Sequence, residues 1–352
     1  MSRIASVVYF GDQSELRHFR SGAKHMKAVV VKKFGSSPEM VVEERPKPTF
    51  RDGYTLVRMH ATTINPLSNF VRKGELGTAP APHVLGNEGS GVVEESGQFK
   101  SGTRVAIFGG GRLGVVQDGL FQQWALVEDK RLVELPDALT WDEGAALTVN
   151  YLTALGALKR SANLRSGQTV LVAGATGGVG HALMQATKAL GGHPIALVSS
   201  SEKAQRAKQA GADSVIDLSS ENLAEAVQRL TYGRGADIAM DPVGGPLLGQ
   251  MMHSLAHRGR LVSIGFTAGK ESQLDLVDVV VHEKSIAGYS VNFDTDEDLA
   301  LALDELAALA AKGFLKPVID STYAIDDFEQ GYSRLTSRNA VGSVVLKLQP
   351  IL

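Results

Sequence analysis

The chain has 352 residues, no cysteine, 38 glycines and a formal net charge of −2. The missing cysteine excludes a disulfide framework, a zinc finger, an iron–sulfur site and a thiol nucleophile, and 36 basic against 38 acidic residues leave no overall field aimed at nucleic acid or membrane. The composition is that of a globular protein longer than one core usually serves, so two domains are expected.

Residues 1–25 read as an N-terminal extension. Their apolar run, residues 4–10, is interrupted by Gly11, Asp12 and Glu15. It is too short for a secretory core and too acidic for a mitochondrial leader. An added strand and turn, or a leader from an upstream start codon, is expected there, with the cytoplasm as location. No stretch approaches the roughly 20 apolar residues that span a bilayer.

Residues 26–150 carry short strand-like runs at 27–32, 54–61, 91–95, 104–108 and 124–127, rich in Val, Ile and aromatics. Pro46, Pro48, Pro66, Pro80, Pro82 and Pro136 fall between them or at their edges. That suits an antiparallel, barrel-like β domain. Over 151–288 the texture changes. Strand-like runs at 169–173, 195–198, 214–217, 238–241 and 261–264 alternate with amphipathic helices at 181–190, 202–210 and 223–231. The alternation implies βαβ units and a doubly wound parallel sheet. A helix is predicted over 296–312, opened by Asp294, Asp296, Glu297 and Asp298 and closed by Lys312 and Gly313. A final strand over 343–348 completes segment 289–352, which is expected to return to the first domain.

Two glycine-rich segments compete for a phosphate-binding role. Residues 109–114 spell GxGxxG letter for letter, yet no helix follows, so no row of free N–H groups awaits a pyrophosphate. They read as a mobile loop. Residues 174–180 match less well, because Ala175 holds the first glycine position, but a buried strand precedes them and a helix follows. Here Ala175, Thr176, Gly177, Gly178, Val179 and Gly180 are expected to bind a dinucleotide. Gly177 lets the backbone approach the pyrophosphate, and Gly180 lets the helix pack on the strand. Where an NAD enzyme places an acid at the end of the next strand, this chain has Ser199, Ser200 and Ser201, followed by Lys203 and Arg206. Hydroxyls and cations suit a 2′-phosphate, so NADPH is the expected cofactor.

With these residues in place, the chain resembles zinc-free members of the medium-chain dehydrogenase/reductase superfamily, in the quinone oxidoreductase branch. The resemblance rests on several motifs together: Gly86-Asn87-Glu88-Gly89-Ser90-Gly91-Val92-Val93 with Gly97, Asn65-Pro66, residues 118–124, residues 175–180 and Asp241-Pro242-Val243-Gly244-Gly245. It covers residue 26 to the C-terminus. It implies a Rossmann cofactor domain beside a mostly antiparallel, GroES-like catalytic domain, with the active site in the cleft between them. Zinc-dependent relatives place His where this chain has Asn87, and Cys near the Asn65 segment, so no metal is expected. None of the nine histidines shows a ligand spacing; His60, His83 and His253 read as structural or surface residues.

The resemblance also implies roles. Asn65 resembles an active-site asparagine that could bond a carbonyl oxygen or the nicotinamide ribose; holding the Asn-Pro turn is the alternative. Thr148 matches a threonine near the nicotinamide. Val243, Gly265 and Phe266 border the nicotinamide at the strand ends. Lys203 and Arg338 reach the adenosine 2′-phosphate. Two positions depart from the pattern: Phe70 stands where quinone oxidoreductases carry tyrosine, and Leu218 replaces a second tyrosine. Phe70 cannot donate a proton, so it is expected in the catalytic cleft only as a wall.

The expected function is metal-free hydride transfer from NADPH to a quinone or α,β-unsaturated carbonyl compound. An enoyl-thioester reductase of the same fold and a non-catalytic NADPH-binding sensor are the alternatives. A small-molecule substrate is expected, with no nucleic-acid or membrane partner, and a homodimer pairing sheet edges near residues 261–264.

Overall fold

The computed structural model describes residues 25–349. The expectation for residues 4–10 lies outside them. The first part of the chain holds β1 (His25–Lys33), β2 (Glu39–Pro46), β3 (Tyr54–Ile64), α1 (Pro66–Arg72), β4 (His83–Val84), β5 (Glu88–Glu95), β6 (Arg104–Phe108), β7 (Trp124–Glu128), β8 (Leu132–Glu134) and α2 (Trp141–Ala145). The middle holds α3 (Thr148–Gly156), β9 (Thr169–Val172), α4 (Gly178–Ala189), β10 (His193–Val198), α5 (Ser201–Gln209), β11 (Ser214–Asp217), α6 (Leu223–Leu230) and β12 (Ala236–Asp241). It continues with α7 (Pro246–His253), β13 (Leu255–Ser263), α8 (Leu276–Val281), β14 (Ser285–Gly288) and α9 (Asp296–Ala311). The chain closes with β15 (Ile319–Ala324), α10 (Phe328–Thr336) and β16 (Ser343–Lys347).

Strands β9 to β14 form a six-stranded parallel sheet in the order β11-β10-β9-β12-β13-β14. The central strands are apolar on both faces, as strands covered by helices on both sides must be. Val170 and Val172 face one way, into a core with Leu152, Leu303 and Leu306. Leu171 and Ala173 face the other, into a core with Val227 and Met251. The strand order reverses beside β9, so the carboxyl ends of β9, β10 and β12 bound the crevice where ligands bind such sheets.

The second body is built on a mainly antiparallel sheet in the order β15-β16-β3-β5-β6-β8, with β7 also paired to β3. Beside it lies a small sheet β2-β1-β4. Both close on one core containing Val29, Val57, Met59, Ile107, Phe121 and Tyr332. The helix predicted over 296–312 ends one residue early, with Lys312 as its C-cap and Thr295 accepting from Asp298 N–H at its start. Segment 289–352 divides in its packing. Helix α9 lies against the parallel-sheet core, and the chain rejoins the antiparallel sheet at Ile319.

The expected dimer edge needs correction. Leu261 and its neighbours belong to β13, which is hydrogen-bonded on both sides, to β12 and β14. The edges of this sheet are β11 and β14, and β14 is the one next to β13. Five strands escaped the sequence reading: β2, β4, β8, β14 and β15. β2 carries Glu39, Glu43 and Glu44 on a strand with no buried residue, so it lacks the apolar signal; β4 and β8 are two and three residues long.

Candidate active site

The turn between β9 and α4 is a cradle shaped by missing side chains. Gly174 has φ +56°, a region that favours glycine. A Cβ on Gly180 would lie 2.0 Å from the Gly174 carbonyl oxygen, so only glycine lets α4 sit this close to its strand. A Cβ on Gly178 would meet Asn150 Oδ1 at 3.0 Å. Gly177 is different: the nearest atom to its built Cβ is 3.4 Å away, so the space before it is open. Gly177 is the N-cap of α4, and no side chain caps that helix. The first-turn N–H groups and the positive dipole end therefore remain for an anion. Ala175 and Thr176 are buried beneath the loop, and Val179 is half-buried in its first turn. The Thr176 carbonyl accepts from Gly342 N–H at 2.8 Å, tying the loop to the approach of β16. These features fit the pyrophosphate of a dinucleotide.

At the tip of β10 the predicted residues converge. Ser200 caps α5, accepting from Lys203 N–H. Lys203 Nζ donates to Ser199 Oγ at 3.4 Å and to the Arg338 carbonyl at 2.8 Å. Burial lowers the pKa of the lysine. Arg338 has φ +60° and an exposed side chain, and its contact with Lys203 is through the backbone carbonyl. An acid that the sequence reading did not single out stands next door: Asp217, at the end of β11, lies opposite Val198. It is occupied, accepting from Ser201 Oγ at 2.6 Å and Ser219 Oγ at 2.6 Å, and these bonds hold its carboxyl below the usual range.

The carboxyl ends of β12 and β13 form the other half of the crevice. Asp241 Oδ1 accepts from Val243 N–H and Gly244 N–H, both at 2.9 Å, and so builds the turn holding Gly244 and Gly245 at positive φ. Its Oδ2 is buried without a partner, and burial raises its pKa. Val243 crowds the Gly174 position, with Cγ2 2.8 Å from a built Cβ. A Cβ on Gly265 would strike the Pro242 carbonyl at 2.4 Å. Phe266 reaches across to the antiparallel body and stacks on Phe70 of α1, with ring centroids 5.2 Å apart and 28° between planes. Both rings line a cavity of about 560 Å³ with Leu76, Gly244, Gly265 and Lys270.

Asn65 and Thr148 are not among the residues lining this cavity, and their polar atoms are engaged. Asn65 caps α1: its Oδ1 accepts from Ser68 N–H at 3.0 Å, in a reciprocal capping box that starts the helix ahead of Pro66. Its Nδ2 donates to Asn87 Oδ1 at 2.8 Å and to Glu88 Oε1 at 3.4 Å. The Thr148 hydroxyl, fully buried, donates to the Ile107 carbonyl at 2.8 Å. Glu88 was visible only as one letter of a motif, but it is the hub. Its Oε1 accepts from Thr63 Oγ1 at 2.5 Å and its Oε2 from Val149 N–H at 3.1 Å, in the first turn of α3. Burial pushes its pKa up to about 7 against those donors.

The better-spelled glycine run does a different job. Gly109 N–H donates to the Asn87 carbonyl at 2.6 Å, and a Cβ on Gly114 would lie 2.6 Å from Gly86 N. The segment is pinned against residues 86–87, and no helix follows it. Among the described residues no three His, Asp or Glu side chains converge as a metal site would require, and no helix is long and apolar enough to cross a membrane.

Family models for an alcohol dehydrogenase GroES-like domain and a zinc-binding dehydrogenase match residues 51–137 and 178–308. The quinone oxidoreductase of Pseudomonas aeruginosa is 34% identical over 300 residues, covering 82% of this chain and 90% of that protein. Among solved structures, an NAD-dependent alcohol dehydrogenase superposes with a TM-score of 0.85 at 30% identity, over 92% of this chain and 100% of that one. A mycobacterial protein crystallised with NADPH superposes with a TM-score of 0.80 at 28% identity, over 92% and 99%.

Proposed function

The chain belongs to the medium-chain dehydrogenase/reductase superfamily, in its quinone oxidoreductase-like branch, and is an oxidoreductase; from that premise we propose that it uses NADPH to reduce quinones or α,β-unsaturated carbonyl compounds without a metal. When bound, the nicotinamide supplies the hydride. The observation that carries the reading is the line of features along the crevice. The uncapped α4 N-terminus suits the pyrophosphate, and the Lys203, Ser199 and Arg338 group at one end suits a 2′-phosphate. The cavity beside Phe70 and Phe266 at the other end suits a flat, conjugated acceptor.

The residues divide the work. Lys203, held at the β10 tip, sets cofactor choice. Gly177 and Gly178 let the backbone close on the pyrophosphate. Val243, Gly265 and Phe266 bound the nicotinamide end. Phe70 supplies a ring face but no proton, so solvent provides the proton that completes the reduction. Asn65 and Asn87 present amides where zinc would want imidazole or thiolate, which supports metal-free chemistry.

We further propose a homodimer in the cytoplasm, with no nucleic-acid or membrane partner. Support for the dimer lies at the edge strand β14 and the neighbouring α8. There Leu276, Val277, Val280 and Val281 are each more than 60% exposed, and Ile286 lies alongside. Such an apolar face beside a strand whose outer edge is open suits burial against a second copy.

The deciding experiment measures NADPH and NADH oxidation with quinones, enones and enoyl thioesters. Turnover of quinones or enones, preferring NADPH, is expected. Turnover confined to enoyl thioesters, or tight NADPH binding with no turnover, replaces this reading with the thioester reductase or the sensor.

A further inference from the structure

Residues 337–342, between α10 and β16, form a strap that belongs to the antiparallel body yet meets the cofactor crevice at two points. The Arg338 carbonyl accepts from Lys203 Nζ at 2.8 Å, and Gly342 N–H donates to the Thr176 carbonyl at 2.8 Å. Gly342 also forms a bridge with Gly177, the N-cap of α4. The first contact lies at the β10 tip and the second on the phosphate loop. The strap thus touches both places where the negative charges of NADPH are expected.

The strap lies outside any helix or strand, so other groups must fix its path. Its end is set by Gly342, with φ +100°, where a Cβ would lie 2.3 Å from the Val318 carbonyl oxygen. Its middle is held from behind by an ion pair. Asp320 on β15 has a side chain only 2% exposed, and Arg334 on α10 grips it in a fork, Nε to Oδ2 and Nη2 to Oδ1, each at 2.7 Å. Asp320 Oδ1 also accepts from Val341 N–H at 2.8 Å, and Arg334 Nη2 also donates to the Asn339 carbonyl at 3.2 Å. The pair therefore fixes residues 339 and 341, which lie between the two crevice contacts at 338 and 342. A carboxylate is costly to bury unless its bonds are met, and a guanidinium fork meets them in one fixed geometry.

We propose that Arg334 and Asp320 are positioning residues for the cofactor. They hold the strap whose Arg338 carbonyl keeps the Lys203 ammonium at the β10 tip, where a 2′-phosphate is expected. Both act through the strap's backbone. A lysine released from that carbonyl samples more rotamers and pays more entropy to meet a phosphate. The effect falls on the adenosine end of the crevice, so it changes cofactor affinity and leaves hydride transfer at the Phe266 end alone. This inference rests on the reading that the crevice binds NADPH.

The test compares wild type, Arg334→Ala and Arg334→Lys. Lysine keeps the charge beside Asp320 but has no planar fork to share between the carboxylate and the Asn339 carbonyl. Binding of NADPH and NADH is measured by fluorescence titration, and KM for NADPH and kcat are measured with a quinone or enone. Both variants should lower the preference for NADPH over NADH by roughly 3- to 30-fold. KM for NADPH should rise, with kcat at saturating NADPH within about twofold of wild type. A merely structural role would do the reverse: fewer folded molecules lower kcat and leave KM and the cofactor preference unchanged. A preference in folded Arg334→Ala within about twofold of wild type overturns the inference. Should Arg334→Ala not fold, since it strands a buried carboxylate, Arg334→Lys decides by the same ratio. A wild type that binds NADPH and NADH equally overturns the NADPH reading itself, and this inference with it.

Discussion

Glu88→Gln tests the electrostatics of the site through the stability of the whole protein. The Glu88 carboxyl is raised from 4.5 to about 7 by burial, despite donors from Thr63, Asn65 and Val149. Below the lower value, folded and unfolded chains both hold the proton, and burial carries no ionic penalty. Between the two values the unfolded chain releases its proton while the folded one keeps it, so stability falls as the pH rises. Above about 7 both are ionised, and the full penalty of roughly 3 kcal/mol is present, at about 1.4 kcal/mol per tenfold change in proton affinity. Glutamine removes the titration and keeps the shape. Its Oε1 can accept from Val149 N–H, and its Nε2 can donate to the Thr63 oxygen. Urea unfolding from about pH 5 to about pH 8 should show the variant gaining roughly 2.5 kcal/mol on wild type across that range, the rest of the penalty being already present at pH 5. A stability difference that stays constant with pH would refute the argument.

Three further outcomes follow from the same geometry. Gly177→Ala should leave the melting temperature near wild type, since its Cβ has space, yet weaken NADPH binding measured by fluorescence titration. Gly180→Ala, whose Cβ would lie 2.0 Å from the Gly174 oxygen, should cost about 3 kcal/mol or more in unfolding free energy. Equal effects in the two would show that the loop is not a cradle. Lys203→Ala should weaken NADPH roughly 10- to 100-fold and leave NADH nearly unchanged, as loss of a charged contact to phosphate requires; equal losses for both cofactors would remove Lys203 from the specificity site. Val277→Glu combined with Val280→Glu should convert a dimer into a monomer in light scattering after gel filtration. A dimer that survives both charges lies on another surface.

Much of this protein is legible residue by residue. The change from proline-punctuated short strands to strand–helix alternation is a property of local periodicity, and the parallel sheet appears where it predicts. The preference for residues 174–180 over the better-spelled 109–114 needs only the presence or absence of a following helix. The clustering of Ser199, Lys203 and Arg338 is different. Arg338 reaches the β10 tip only because β16 pairs with β3 in the other body and Gly342 bonds back to the phosphate loop.

Four decisions belong to the tertiary structure. The dimer edge could not be placed near residues 261–264 from their apolar character, because central and edge parallel strands are equally apolar until the strand order is known. Strand β2 was hidden by glutamates that its exposure permits. Asn65 fits a catalytic pattern and a capping pattern alike in sequence. Its two short bonds, to Ser68 N–H and Asn87 Oδ1, show that it caps α1. Glu88 is a single letter until burial strips its water and moves its pKa. The sequence by itself determined where short strands give way to strand–helix alternation, since backbone preference and side-chain period are local. The tertiary structure decided which polar atoms are spent and which remain for a ligand, since that depends on partners far along the chain.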